Sequence, residues 1–310
     1  MLTLALLIAC STPAPTPAPP ASRPEPAAAP APPPPEPEPE PEPEVVDLTV
    51  PSDEEALVER LADVEARLRD PSTPAETALD LAHLQQRIYR ALAGDAPLRE
   101  RVVAALPARW REVAQRNADA TAQIARTVRK PRTDLPAWRI VPPPPAEELV
   151  EMYRAAEAEH GVDWEVLAAI HLCETRMGRL RGVSYAGARG PMQFMPATWD
   201  AYGKGDIESP ADAIWAAGNY LAKMGFAKDP RKAVWHYNHH DGYVNSVLTF
   251  ASVMADDPLA YRGYHGWRVY YRTVAGDLWL KEGYESQERG PIDAYCAEVG
   301  APACPQAPPP

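Results

Sequence analysis

The sequence has no apolar run long enough to cross a bilayer, no excess of basic residues and only four cysteines. A spanning helix takes roughly 20 apolar residues, and the longest candidate, at the N-terminus, offers about eight. Acids outnumber Lys and Arg by 43 to 31, for a net charge of −12. No basic face is implied, so nucleic acid is not an expected partner. Cys and His nowhere converge at metal-ligand spacing. His239 and His240 are adjacent on a short loop without convergent partners, so neither a metal nor another cofactor is expected.

What the chain has in abundance is proline, 38 residues, and 17 of these fall within residues 11–51. An alternating Pro-Glu run extends from Pro35 to Glu44. Such a segment buries no core and reads as a disordered, polyproline-like tether. Ahead of it, Leu7-Ile8-Ala9-Cys10 resembles a bacterial lipobox. That resemblance makes residues 1–10 a signal peptide, Cys10 the lipidated residue and a membrane the anchoring surface. Ser11 after it fits sorting to the outer membrane, with the protein on the periplasmic side of the cell envelope. In an oxidising compartment Cys296 and Cys304 can pair as a disulfide. Cys173 is left single and reads as a small core filler.

Past the tether the chain reads as mainly α. Residues 52–130 form a helical bundle, with Leu57, Leu61, Val64 and Leu68 on one stripe and Leu81, Leu84, Ile88 and Leu92 on another. Ser52-x-x-Glu55 and Thr73-x-x-Glu76 have capping-box form, and Pro107 breaks the third helical pattern. This region offers no chemistry, so it reads as a structural bundle or as a platform for protein partners in the envelope. A Pro-rich linker, 131–145, sets the boundary with a second domain, 146–285. That domain carries helices opened by Asp163, Pro196, Ser209, Asp229 and Asp241, and then a β-hairpin over 267–284 around Ala275-Gly276-Asp277. Residues 286–310 read as a C-terminal tail, with the last ten frayed.

The chemistry gathers at 163–194. Asp163 to Arg181 reads as one helix whose apolar face holds Leu167, Ile170 and Met177. Glu174 lies on that same face, near the helix end suggested by Gly178. Burial and the negative end of the helix dipole both disfavour its ionised form, as a general acid requires. Pairing with Arg176, Arg179 or Arg181 is the alternative. A Gly-rich stretch, 182–190, then leads into Gln193 and Phe194.

Glu174-Thr175-Arg176-Met177-Gly178-Arg179 resembles the first motif of the membrane-bound lytic transglycosylase B family. Ser184 to Ala188 with Gln193-Phe194-Met195-Pro196 resembles the second, Asp212-Ala213-Ile214 with Asn219-Tyr220 the third, and Tyr237-Asn238-His239 with Tyr243 the fourth. The resemblance implies a lysozyme-like domain acting on peptidoglycan glycan strands. It also implies cleavage of the bond between N-acetylmuramic acid and N-acetylglucosamine, with a 1,6-anhydromuramyl product. Glu174 would be the single acid/base. Ser184, Gln193, Phe194, Tyr237 and Asn238 would contact substrate, and Tyr243 would add a stacking face. Only Leu180 to Val183 separate the first two motifs, fewer residues than in the family pattern, which leaves the shape of one cleft wall open. Two other outcomes stand beside this one: a non-catalytic peptidoglycan-binding scaffold, and a muramidase in which a second acid positions water.

Overall fold

A computed structural model describes residues 44–128 and 130–304. The expected signal segment with Cys10, and the tether up to Pro43, lie outside the described residues. The described chain is mainly helical with two small antiparallel sheets. Four helices come first: α1 (Glu54–Leu68), α2 (Ala75–Gly94), α3 (Ala96–Ala105) and α4 (Ala108–Ala125). A short strand β1 (Arg139–Ile140) precedes α5 (Ala146–His160) and α6 (Trp164–Thr175). Then come β2 (Leu180–Arg181), α7 (Pro196–Tyr202), α8 (Pro210–Lys223), α9 (Pro230–Tyr237), α10 (Asp241–Asp256) and α11 (Ala260–Gly266). The hairpin strands β3 (Val269–Thr273) and β4 (Gly276–Leu280) and a last helix α12 (Ile292–Val299) complete the order.

Most helices form where the apolar spacing puts them, α11 and α12 fall where none is expected, and several caps differ from expectation. Asp53 rather than Ser52 accepts the Ala56 N–H that opens α1. Thr73 does not cap α2; its hydroxyl donates to the Arg67 carbonyl, and Pro74 takes the cap position. Asp163 holds the cap position of α6 without a side-chain bond. The Trp164 N–H donates instead to Glu157 at 3.2 Å. His240, not Asp241, caps α10 by accepting from Gly242 at 3.0 Å. Ser209 and Asp229 cap α8 and α9 as their types suggest. The hairpin turns through Val274 and Ala275, one step earlier than read, with Thr273 paired to Gly276.

The bundle and the second domain share one core. Leu61, Leu84 and Ile88 of the first helices and Leu167, Val244 and Phe250 of the later ones belong to a single buried cluster. α4 lies along α10, and α2 along α11. Polar bonds cross the same seam. Buried Glu65 accepts from Gln85 at 2.9 Å and from Tyr89 and Arg69, and Arg69 reaches on to Asp257. Trp267 donates to Gln85 at 3.0 Å, and Ser246 to the Ala120 carbonyl at 2.8 Å. The division at 131–145 therefore does not separate two cores. Each stripe seen in the sequence is the visible half of a wider apolar surface, because Ala78, Ala82, Ala114 and Ala118 are buried too. Small side chains escape a count of large ones.

Residues 131–145 are also not a free linker. Leu135 and Ile140 are buried with Val269, Leu278 and Leu280 in a second, smaller cluster. Ile140 pairs with Leu180 and Arg139 with Arg181. The Arg132 N–H donates to the Arg272 carbonyl, and Val274 N–H to the Arg132 carbonyl, so this segment runs beside β3. The tail folds back as well. α12 buries Ile292 and Tyr295, a disulfide joins Cys296 to Cys304, and the Trp279 N–H of β4 donates to the Ala303 carbonyl at 2.9 Å. The end of the tether joins too, with Val46 buried against the first helices.

A shared core predicts that the second half does not fold alone. A fragment of residues 136–310 should lack the cooperative thermal transition of the full chain when followed by circular dichroism. Within the full chain, Phe250→Ala removes a ring packed on Tyr264 and Trp267. It should cost about 3–5 kcal/mol in denaturant unfolding.

Candidate active site

The end of α6 is shaped by an unusual run of backbone. The helix stops at Thr175, earlier than Gly178 suggests, because Arg176, Met177 and Gly178 all take left-handed φ values of 54°, 59° and 82°. Two consecutive non-glycine residues there are strained. Thr175 holds the turn: its hydroxyl donates to the Pro191 carbonyl at 2.6 Å and accepts the Gly178 N–H at 3.1 Å. Glu174 is thus fixed one residue before the helix end, half-buried, at the floor of a cleft of about 810 Å³.

None of the three neighbouring arginines pairs with Glu174. Arg176 turns back to the Leu172 carbonyl. Arg179 is buried, binds Glu282 and donates to the His265 carbonyl at 3.1 Å. Arg181 reaches toward the Glu208 carbonyl. Among the described residues, the one hydrogen bond to the Glu174 side chain comes from the Tyr243 hydroxyl, 2.6 Å from Oε1. Burial pushes the Glu174 carboxyl up from 4.5 to about 7, opposed by the Tyr243 hydrogen bond and the Arg176 charge. The acid is poised to give up a proton near neutral pH. Cys173 beside it is no thiolate, since burial raises the thiol to about 12.

The structure sorts the other expected site residues into two groups. Ser184 and Asn238 line the cleft with Glu174 and Tyr243. Asn238 is exposed at the end of α9. Ser184 closes its own loop, accepting the Ala188 N–H at 2.9 Å. Tyr243 is buried, with 3% of its surface exposed, so it offers no stacking face; its hydroxyl addresses the acid instead. Gln193, Phe194 and Tyr237 do not line the cleft. Gln193, at φ 51°, donates to the carbonyls of Gly190 and Gly182 and so ties the Gly-rich loop together. Phe194 is buried edge-on between Trp199 and Tyr237. Tyr237 donates to the Met192 carbonyl at 2.6 Å, not to Glu174. These three build the wall behind the site. A motif shows which residues recur together, not which of them face the opening.

The opposite wall comes from the segment read as linker. Pro136, Ala137 and Trp138 line the cleft across from the Gly-rich loop. Trp138 donates to the Val183 carbonyl at 3.1 Å and packs edge-on to Tyr271. A side chain at Gly182 would sit 2.4 Å from the Trp138 ring, so glycine is required for this approach. Tyr185, 83% exposed, lies under the Arg132 guanidinium at the cleft mouth. Trp138, Tyr185 and Tyr271 offer aromatic surfaces to a ligand, while Tyr270, which also lines the cleft, has its face covered by Arg90. The signal for Trp138 and Tyr185 was present, as aromatic residues inside Pro- and Gly-rich stretches that have no helix face to bury them.

Among the described residues two carboxylates line the cleft, Glu174 and Asp277. Asp277 is paired with Arg90. Asp200, Asp206, Glu208, Asp212 and Asp241 lie outside the lining. Asp212 accepts the Asp206 N–H at 2.9 Å, and Asp241 is exposed near Arg231. Among the described residues no group of three His, Cys, Asp or Glu side chains is placed to hold a metal ion.

Comparison with known proteins falls on this same region. Residues 180–234 match the family model described as the transglycosylase SLT domain. The membrane-bound lytic murein transglycosylase F of Thiobacillus denitrificans is 30% identical over 119 residues, which is 36% of this chain and 25% of that protein. The chain thus spans about a quarter of the length of the curated relative it matches. No solved structure gives a significant match. The family match begins after Glu174 and ends before Tyr237, Asn238 and Tyr243.

Holding Glu174 protonated has a thermodynamic consequence. Its folded pKa is raised, so its contribution is fully favourable below about 4.5, falls as pH rises toward about 7, and stays low above that. Glu174→Gln keeps the shape and the Tyr243 bond without a charge. At pH 8 the variant should be more stable than the parent by about 1–3 kcal/mol. The difference should vanish near pH 4. Thermal melts across pH 4–8 measure it.

Proposed function

We propose that the protein is a peptidoglycan lytic transglycosylase, with Glu174 as its single general acid and base. The observation that carries this is one unpaired carboxyl, raised to about 7, at the floor of a cleft whose other lining carboxylate is tied to an arginine. Protonated Glu174 gives its proton to the glycosidic oxygen between N-acetylmuramic acid and N-acetylglucosamine. The bond breaks as an oxocarbenium-like centre forms at C1 of the muramyl sugar. The carboxylate, steadied by the Tyr243 hydroxyl, then takes the proton of the muramyl C6 hydroxyl, whose oxygen closes on C1. Glu174 is restored protonated, and the product is a 1,6-anhydromuramyl end. The nucleophile is already part of the substrate, so proximity replaces a second enzyme group.

A muramidase needs a further carboxylate across the bond, as nucleophile or as base for water. Asp277, held by Arg90, is poorly suited to either role. A pure binding scaffold has no use for an acid kept protonated against its own stability. The motifs resemble those of the B type, while the curated relative carries the name F. Lipidation at Cys10 would hold the enzyme on the periplasmic face of the outer membrane, with the Pro-Glu tether as its reach into the wall.

Digestion of purified sacculi with the full chain should release anhydromuropeptides, read by mass spectrometry. Glu174→Gln should lower the rate by about 10²–10⁴-fold. Reducing-end products from the parent would replace this reading with the muramidase, and binding without products would replace it with the scaffold. Activity should fall as pH rises through the Glu174 pKa. Because the Tyr243 bond favours the ionised acid, Tyr243→Phe should move that alkaline limb to higher pH.

A further inference from the structure

The cleft does not end at the acid. Beside it lies a second hollow of about 780 Å³, and Arg90, Thr121, Ala125, Tyr270, Arg272 and Asp277 line both spaces. This annex is built by α2, α4 and the β3–β4 hairpin, outside the 180–234 stretch that matches the transglycosylase model.

Its lining has the opposite sign to the chain. The protein carries −12 overall, yet Arg87, Arg90, Arg126 and Arg272 face the annex against the single carboxylate of Asp277. Arg90 is taken up by Asp277 and lies over the Tyr270 ring at 4.2 Å. Arg87, Arg126 and Arg272 have no acidic partner among the described residues. Arg272 reaches only the Ala125 carbonyl at 3.2 Å. Two polar atoms there are buried without any hydrogen bond: Nε of Arg87 and Oγ1 of Thr121. Buried donors without partners are costly. Arg126 and Arg272, with Arg87, whose Nη1 reaches the Pro302 carbonyl at 3.5 Å and whose charge also acts on Asp47, give this concave site the chemistry to suit a ligand with several carboxylates.

We infer that the annex binds the carboxylates of the peptide borne by the glycan strand. The inference rests on the transglycosylase reading, because that reading places the strand in the adjoining cleft. The peptide hangs from the lactyl group of the muramyl sugar, the same sugar whose C1 lies at Glu174. Its acidic groups therefore arrive tethered, and their local concentration does not depend on a separate binding event. A glycan stripped of peptide fills the cleft and leaves the annex unmatched.

The test uses the full chain and two ligands, N-acetylglucosaminyl-N-acetylmuramic acid with its peptide and the same disaccharide without it. Neither contains the bond that the proposed activity cuts. Titration calorimetry should show the peptide improving affinity by about tenfold, with the gain shrinking as salt rises. Arg87→Gln combined with Arg126→Gln should abolish the gain and leave disaccharide affinity unchanged. Arg126→Gln alone, at an exposed position, should remove part of it without affecting folding. A peptide that adds no affinity to the parent overturns the inference, as does a gain that survives both substitutions. If the disaccharide binds but the peptide adds nothing, the annex assignment fails while the transglycosylase reading stands. If sacculi yield no anhydro products, the transglycosylase reading fails, and that is read in a separate digest.

Discussion

The hydrogen bond from Tyr243 to Glu174 is the contact on which the site depends. It joins the last turn of α6 to the first turn of α10, two segments 69 residues apart in sequence. The bond holds the carboxyl where burial raises its pKa, and it also limits how far that rise goes. Its geometry requires α10 to be placed correctly, and α10 is placed by α4. Ser246 hydrogen-bonds the Ala120 carbonyl, and the two helices share a buried face. The N-terminal helices back the helix that presents the tyrosine. On the other side, Thr175 ties the end of α6 to Pro191, so the Gly-rich loop and the acid are set by one threonine.

Much of this was legible in the chain. The apolar stripes of α1 and α2, the break at Pro107 and the hairpin follow from periodicity and turn chemistry. Glu174 stood out because an acid on an apolar helix face is anomalous, and the structure leaves it unpaired. What escaped was whatever depends on long-range neighbours. Arg179 looks like a motif arginine near an acid, but its partners are Glu282 and the His265 carbonyl, far along the chain. Phe194 looks like a sugar platform but is packed edge-on against Trp199 and Tyr237. Proline content marked 131–145 as a linker, although its buried Leu135 and Ile140 give it a place in a core. Composition reports that a segment is not helical, and extended segments can still be walls.

The short spacing between Arg179 and Ser184 connects with that wall. With few residues of its own to build one side of the cleft, the chain takes Pro136 to Trp138 from the preceding segment. Trp138 then requires Gly182 opposite it. Two local peculiarities, a Pro-rich stretch and a bare glycine, are halves of one contact. The cleft is thus assembled from widely separated parts of the sequence, among them the end of α4, the 131–140 segment, the α6 end with the Gly-rich loop, the start of α10 and the hairpin.

The hairpin itself has both flanks occupied. The Arg132 backbone lies along β3, and Ala303, held by the Cys296–Cys304 disulfide loop, bonds the outer side of β4. An isolated two-stranded ribbon would otherwise present open backbone groups to any extended chain nearby. A protein that worked among dense peptide-bearing strands would meet such chains constantly. Covering the ribbon at Arg132 and Ala303 leaves less open backbone for unwanted strand addition by cross-linking peptides or by sister copies.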